Sequence, residues 1–233
     1  MPPSSHAYQP IFVAATRQHV GKTSVSLALT AGLQKRFKKV GFMKPVGQQH
    51  LEVKSCLDGS RVLVDKDVKL IREHFSLQHL DYRHMSPVII PSGYTRDYID
   101  GKVNKDEQMK KIHDSFQAQA ESTDIILLEG TGHIGVGSCV NANNAQVAAM
   151  TGASMVLVAN GGVGSAFDSL DLNYSMCKAN GVHMAGVIIN KIMPDKMQQT
   201  RNYMSKLLKY HWDVPLLGER ERCGAVQSSR VPD

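Results

Sequence analysis

Short runs of β-branched and other apolar residues alternate with segments of helical length from residue 11 to residue 217. The predicted strands cover residues 11–15, 40–44, 125–128, 155–159, 185–190 and 214–217. The predicted helices cover residues 23–34, 67–75, 104–121, 142–150, 165–178 and 195–210. Repeated β-then-α units join parallel strands through right-handed crossovers. The chain is therefore predicted to be an α/β protein with a doubly wound, mostly parallel sheet.

Length and composition agree with one large domain. The chain has 233 residues, of which 42% are apolar and 21% are charged, and this mixture excludes disorder, collagen and coiled coil as global descriptions. We expect the domain to span residues 11–218, after a flexible N-terminus at residues 1–10. The Glu-Arg-Glu-Arg-Cys run after Gly218 has no strand pattern, so residues 219–233 are predicted to be an irregular or disordered tail.

The cysteines and the N-terminus indicate a soluble intracellular protein. The four cysteines form no C-x-x-C pair, which argues against both a disulfide framework and a zinc knuckle and favours a reducing compartment. The first ten residues do not resemble a secretory signal, and no uncharged apolar run approaches the roughly 18 residues of a membrane span. We predict a cytoplasmic protein, with an organelle stroma or matrix as the open alternative.

The net charge of +6 is spread over short clusters rather than along one basic stripe. Nucleic-acid binding requires such a stripe together with a recognisable module, so no nucleic-acid partner is expected, and no membrane partner either. A basic surface does suit small phosphorylated ligands.

A Val-Gly-Lys-Thr sequence at residues 20–23 directly follows the first predicted strand and opens the first predicted helix. A bound phosphate needs backbone N–H donors at a helix N-terminus, a lysine for the phosphate oxygens and a hydroxyl for Mg²⁺. Gly21, Lys22 and Thr23 supply that set, although Thr16 stands where such loops carry their first glycine. The strand–loop–helix order favours a phosphate-binding loop over a capped helix with an incidental lysine. The candidate nucleotide contacts in this loop are Thr16, Arg17, His19, Val20, Gly21, Lys22, Thr23 and Ser24.

Polar residues also follow other predicted strands, at the edge of the sheet where ligands bind in doubly wound folds. Glu129 ends an apolar strand and could hold Mg²⁺ or a water bound to it; the alternative is an acidic cap or turn residue. Lys44 is either a group that stabilises a substrate anion or transition state, or a snorkelling lysine at a strand end. Asp65 and Asp67 precede a helix, where each is either an N-cap or a Mg²⁺ carboxylate. Asn190 ends a late strand, where it could hydrogen-bond a base edge.

These motifs resemble the dethiobiotin synthetase branch of the P-loop NTPases over most of residues 11–217. The resemblance rests on the order Val-Gly-Lys-Thr, Lys-Pro-Val, Glu-Gly-x-Gly and a late strand ending in Asn, and that family also carries Thr in place of the first glycine. Residues 85–96 and 64–68 more closely resemble the dethiobiotin-synthetase-like N-terminal domain of long phosphate acetyltransferases and its stand-alone relatives.

The resemblance implies ATP and Mg²⁺ as cofactors. By this analogy, Lys22 and Thr23 hold phosphate and Mg²⁺. Asp67 and Glu129 coordinate Mg²⁺, and Asn190 reads adenine. Lys44 faces the reacting γ-phosphate, which makes Lys22 and Lys44 the candidate catalytic residues.

A homodimer is also expected by analogy. In division-site and partition ATPases, a lysine five residues before the loop lysine reaches across a dimer to the partner's nucleotide. Arg17 has that spacing from Lys22. The alternative for Arg17 is an exposed loop arginine.

Two functions remain open from the sequence. The first is a nucleotide-dependent regulatory or ATPase module that acts through self-association or a partner protein. The second is an ATP-dependent ligase of the dethiobiotin synthetase type. The loop carries Arg-Gln-His at residues 17–19 where the synthetase has an Asp-Thr-Glu type run, which reverses the polarity near the substrate. Arg17, Lys44 and residues 86–96 favour an anionic small-molecule substrate over a diamine. The departure after Gly218 predicts that part of the base pocket is missing.

Overall fold

The computed structural model of the protein describes residues 8–222, and within that range the chain forms ten strands and eight α-helices. The strands are β1 Ile11–Ala15, β2 Val40–Met43, β3 Val46–Gly47, β4 His50–Lys54, β5 Arg61–Asp65, β6 Val88–Ile89, β7 Ile125–His133, β8 Ser154–Asn160, β9 Met184–Ile192 and β10 Leu216–Glu221. The helices are α1 Lys22–Gln34, α2 Lys66–His74, α3 Tyr82–Met85, α4 Tyr94–Ile99, α5 Lys105–Ala120, α6 Asn144–Thr151, α7 Gly164–Ala179 and α8 Met197–Trp212.

Six of the strands form one parallel sheet in the order β10-β9-β8-β1-β7-β2. The side chains of β1 alternate between two cores: Phe12 and Ala14 pack on one face of the sheet, and Val13 and Ala15 pack on the other. Both faces are covered by helices, which is why the strands are nearly continuous apolar runs. The predicted doubly wound α/β fold is confirmed. Because β7 and β8 flank β1 on opposite sides, the crevice at the carboxyl end of β1 is the expected ligand position.

The segment between β2 and β7 is more structured than the sequence predicted. Strands β4 and β5 form an antiparallel hairpin in which His50 pairs with Asp65, and β3 pairs in parallel with β6. The alternation of polar and apolar residues in β4 is the sequence signal for this hairpin. The second strand of the hairpin ends at Asp65, and α2 begins at the next residue, Lys66.

The predicted irregular tail begins too early. Strand β10 continues past Gly218 to Glu221 and pairs in parallel with β9, with Glu219 opposite Ile189. Glu219 also forms an ion pair with Arg201 of α8. The expectation of no strand after Gly218 is therefore wrong for residues 219–221, because pairing with β9 rather than apolar alternation defines this edge strand. The other predictions for the two ends fall partly on residues 1–7 and 223–233, which lie outside the described residues.

Within residues 8–222, no helix is both long enough and apolar enough to cross a membrane.

Candidate functional site

The loop between β1 and α1 has the conformation that a phosphate-binding loop requires. Gly21 is the N-cap of α1 and has a left-handed φ of 94°. A Cβ atom at this position would lie 2.1 Å from Nδ2 of Asn190, so only glycine fits here. Lys22 begins the helix, and the buried Val20 anchors the loop in the core below it. Backbone N–H groups at such a helix start are the donors that bind phosphate oxygens.

Two consecutive residues of β9 hold two consecutive carbonyls of this loop. Asn190 Nδ2 donates to the Val20 carbonyl at 2.7 Å, and Lys191 Nζ donates to the His19 carbonyl. Both His19 and Lys191 have a left-handed φ of 59°, which is uncommon for residues other than glycine. Asn190 Oδ1 accepts a hydrogen bond from the Lys191 N–H, so both ends of the amide are engaged within the protein. The observed role of Asn190 is to position the loop, and its contact with adenine stays a prediction.

Lys44 lies among three carboxylates. Its Nζ is 3.0 Å from Asp65 Oδ1 and 3.7 Å from Glu129 Oε1, and it also donates a hydrogen bond to Asp67 Oδ2. Burial opposes the charged form of Lys44, but Glu129, Asp65 and Asp67 together raise its pKa to about 12. Lys44 is therefore a buried ion-paired cation, not a strand-end lysine that reaches out to solvent.

Lys22 and Thr23 lie beside the same carboxylates. Lys22 Nζ is 3.8 Å from Glu129 Oε1, and Thr23 Oγ1 is 3.2 Å from that oxygen and 3.5 Å from Asp67 Oδ2. Burial lowers the pKa of Lys22, and the Lys44 ammonium acts in the same direction against the attraction of Glu129. The structure thus brings together six residues that the sequence singled out in separate segments: Lys22, Thr23, Lys44, Asp65, Asp67 and Glu129.

The two aspartates before α2 have different surroundings. Asp65 is the N-cap: its Oδ1 accepts from the Asp67 N–H, and its Oδ2 accepts from the backbone N–H groups of Gln48 and Gln49. Asp67 lies in the first turn, where its carboxylate faces Thr23 and Lys44. The N-cap interpretation therefore holds for Asp65, and Asp67 is the carboxylate placed beside the loop hydroxyl.

The donor set fits a hydrated Mg²⁺ that is bound with a nucleotide. Glu129 is fully buried, and its Oε2 has no hydrogen-bond partner in the structure. A buried carboxylate oxygen without a partner is costly and calls for a donor or a cation. Within residues 8–222, no group of three or more His, Cys, Asp or Glu side chains is arranged to hold a metal ion alone. Mg²⁺ commonly takes few protein ligands and completes its shell with water and phosphate oxygens, which is consistent with this arrangement.

Two cavities adjoin the loop. A cavity of about 440 Å³ lies over the carboxylates and lysines, and one of about 610 Å³ lies towards Asn160, Asn190 and residues 220–222. Both are lined by Arg17, Gly21, Ser24 and Lys191. The end of β10 therefore forms a wall of the second cavity. It stays a prediction that part of a base pocket is missing after Gly218.

The remaining loop residues divide between the surface and the core. Arg17, His19 and Ser24 are exposed at the cavities, whereas Thr16 is buried and its N–H donates to the Val158 carbonyl at 2.9 Å. The side chain that sequence reasoning left without a role is Lys191, whose only signal was its place next to Asn190. The backbone donors of Gln48 and Gln49 had no sequence signal, because their function depends on the position of Asp65.

Comparison with known proteins identifies the family. A family model described as an AAA domain, AAA_26, matches residues 9–227. The chain belongs to this family of P-loop NTPases. Nucleotide binding is a property of that class, and the site described above has the corresponding geometry.

Relatives of this AAA domain include both types of protein suggested by the motifs. It is 29% identical over 191 residues to a phosphate acetyltransferase from Nitrosomonas europaea, covering 79% of this chain and 25% of that protein. It is 27% identical over 187 residues to an ATP-dependent dethiobiotin synthetase from Methanocaldococcus jannaschii, covering 78% of this chain and 79% of the synthetase. The chain thus spans about a quarter of the length of the acetyltransferase.

Solved structures support the fold of the AAA domain. The MinC:MinD cell division protein complex of Aquifex aeolicus matches with a TM-score of 0.55 at 14% identity, covering 93% of this chain and 82% of that one. A plasmid partition protein from Borrelia burgdorferi matches with a TM-score of 0.52 at 14% identity, covering 91% and 90%. At these identities the likeness concerns the fold alone.

Proposed function

We propose that this domain binds Mg-ATP at the phosphate loop and works as a nucleotide-dependent regulatory ATPase module. The observation that carries the proposal is the convergence of Lys22, Lys44 and the Thr23 hydroxyl on the carboxylates of Asp67 and Glu129, at the mouth of the loop. Proteins that bind nucleoside triphosphates and transfer their γ-phosphoryl group use such a set: two cations, a hydroxyl and two carboxylates beside a helix N-terminus.

Each residue has a definite part in this proposal. Lys22 binds the β- and γ-phosphate oxygens, and Thr23, Asp67 and Glu129 hold Mg²⁺ directly or through water. Bound Mg²⁺ would neutralise charge on the phosphates. Lys44 faces the γ-phosphate, where an ammonium stabilises the charge that develops on the transferring group. The second cavity receives the base next to Asn190.

A regulatory role is supported by the relatives and by the position of Arg17. The segment that the chain shares with the phosphate acetyltransferase makes up 25% of that protein, so in that relative it is one part of a longer chain. Arg17 is exposed and lines both cavities, so its guanidinium is available to a second molecule. We propose a homodimer in which Arg17 contacts the nucleotide of the partner, and a partner protein that responds to this state.

The second candidate function is an ATP-dependent ligase, which the similarity to the dethiobiotin synthetase favours because it covers 79% of that enzyme. In such a reaction a carbamate oxygen of the substrate attacks the γ-phosphorus and ADP leaves. The second amino nitrogen of the substrate then attacks the carbonyl carbon of the carbamoyl phosphate, which closes the ring and releases phosphate and a proton. Arg17 and Lys191 add positive charge to the first cavity, which favours an anionic substrate.

Thermal melting with and without Mg-ATP tests the primary proposal. At ligand about 100 times its Kd, binding stabilises by about 2.7 kcal/mol, which for a chain of this size raises Tm by about 5–11 °C. We expect this rise to require Mg²⁺ and to disappear in Lys22→Ala. An absent rise at millimolar Mg-ATP would contradict the proposal.

Product analysis separates the two functions. Phosphate release that increases only when a diaminononanoate and carbon dioxide are added, with formation of a cyclic urea, would favour the ligase. A rate of phosphate release that is unchanged by these substrates but depends on protein concentration would favour the regulatory module.

A further inference from the structure

The three carboxylates near the phosphate loop share one internal counter-ion. Asp65, Asp67 and Glu129 all contact Nζ of Lys44, and the side chain of Lys44 is only 7% exposed. Lys22 contacts one of the three, Glu129, at 3.8 Å. Removing Lys44 would leave three largely buried carboxylates with a single ammonium, which is costly in a low-dielectric environment.

The place that the Lys44 ammonium occupies among the carboxylates could also hold a metal cation. The carboxylate oxygens of Asp65 and Glu129 lie 3.0 and 3.7 Å from Nζ, whereas direct Mg²⁺ ligands lie at about 2.0–2.1 Å. The space around Nζ therefore suits an ammonium or a hydrated ion better than a bare one. As long as Lys44 occupies it, Lys44 and Lys22 offset two of the three negative charges, and the positive charge of Lys44 repels a second cation from this position.

We propose that Lys44 prevents free Mg²⁺ from binding to Asp65, Asp67 and Glu129, so that the divalent cation binds only together with nucleotide phosphates. This inference rests on the proposed binding of Mg-ATP. Phosphate oxygens would give the ammonium a second set of partners, and the Lys44 side chain would turn towards them, leaving the carboxylates to hold Mg²⁺. The backbone of Lys44 is held in place, because its N–H donates to the Met85 carbonyl at 2.7 Å. This change therefore requires movement of the side chain alone. The same lysine thus serves as the counter-ion before binding and as a phosphate ligand after it.

The test uses Mg²⁺ alone, without nucleotide, at constant ionic strength. Lys44→Met removes the ammonium but keeps an unbranched side chain of similar length. Lys66→Met is the matched control, because Lys66 is exposed and lines the same cavity but has no ion pair with these carboxylates. We expect Mg²⁺ to leave the Tm of the wild type and of Lys66→Met unchanged. In Lys44→Met, Mg²⁺ at about ten times its Kd should raise Tm by about 3–6 °C.

Counting bound Mn²⁺ by electron paramagnetic resonance gives a second readout that does not depend on melting. The wild type should bind Mn²⁺ only after a nucleotide is added, and Lys44→Met should bind it without one. Binding of Mn²⁺ or Mg²⁺ to the nucleotide-free wild type would overturn the inference, whether or not the variant folds. A folded Lys44→Met that binds neither ion alone would also overturn it. If the wild type binds neither ion even with ATP, it is the proposed function that fails.

Discussion

Asn190 Nδ2 donates a hydrogen bond to the carbonyl of Val20 at 2.7 Å, which joins residues 170 positions apart in the sequence. This bond and the adjacent contact from Lys191 to the His19 carbonyl fasten the phosphate loop to the end of β9. The loop is thus shaped from outside by side chains of another strand as well as by its own glycine.

Gly21→Ala is expected to destabilise the protein and abolish nucleotide binding. The new Cβ would lie 2.1 Å from Asn190 Nδ2, and the left-handed φ of 94° adds backbone strain. The matched control is Gly59→Ala, where φ is 72° and no atom lies within 4 Å of the new Cβ. We expect the control to lose about 1–2 kcal/mol from backbone strain alone. Urea unfolding and nucleotide titration measure the difference, and equal losses in both variants would contradict the proposed clash.

Lys191→Met is expected to weaken nucleotide binding about tenfold without a large change in Tm. Its side chain is exposed, so its removal costs little packing, but the His19 carbonyl loses its donor and the loop loses a restraint. ATP and GTP should be affected alike, because the change acts on the phosphate loop. Lys191→Arg should restore most of the affinity, since a cationic donor remains. A variant that changes the preference between ATP and GTP instead would assign Lys191 to base recognition.

Arg17→Ala is expected to reduce dimer formation and ATP turnover while leaving nucleotide affinity of the monomer nearly unchanged. Arg17 is exposed at the cavities, and its charge would be used by the partner's nucleotide in the proposed dimer. Sedimentation velocity with a non-hydrolysable ATP analogue measures the first effect, and phosphate release measures the second. A variant that dimerises and turns over ATP like the wild type removes Arg17 from this role.

The cysteines should differ sharply in their reactivity. Burial raises the pKa of the Cys177 thiol to about 12, so almost no thiolate forms at pH 8, whereas Cys56 and Cys139 are exposed. In a Cys223→Ser background, which removes the cysteine outside the described residues, a maleimide should label two sites in the native protein. The third should react only after unfolding. Native labelling of Cys177, detected by peptide mass spectrometry, would contradict its burial.

Several parts of the site could be inferred from local sequence because the geometry of a parallel sheet brings distant segments together. The strand–loop–helix context identified the phosphate loop, and the shared carboxyl edge of the strands placed Lys44 and Glu129 beside it. The structure also shows what that reasoning lacked. Strand β7 does not end at Glu129 but continues to His133, so Glu129 lies inside the strand, opposite Val13 of β1.

The sequence by itself determined the order of the six main-sheet strands along the chain, the parallel α/β architecture and the loop at Gly21, because these depend on local periodicity and on the preferences of single residues. Only the tertiary structure decided the pairing of Lys44 with Asp65 and Asp67, the use of Asn190 on the Val20 carbonyl, and the extension of β10 beyond Gly218. Each of these is a contact between segments far apart in the chain. Such contacts depend on the placement of the β4–β5 hairpin and on the pairing of β9 with β8 and β10, and no local pattern encodes them.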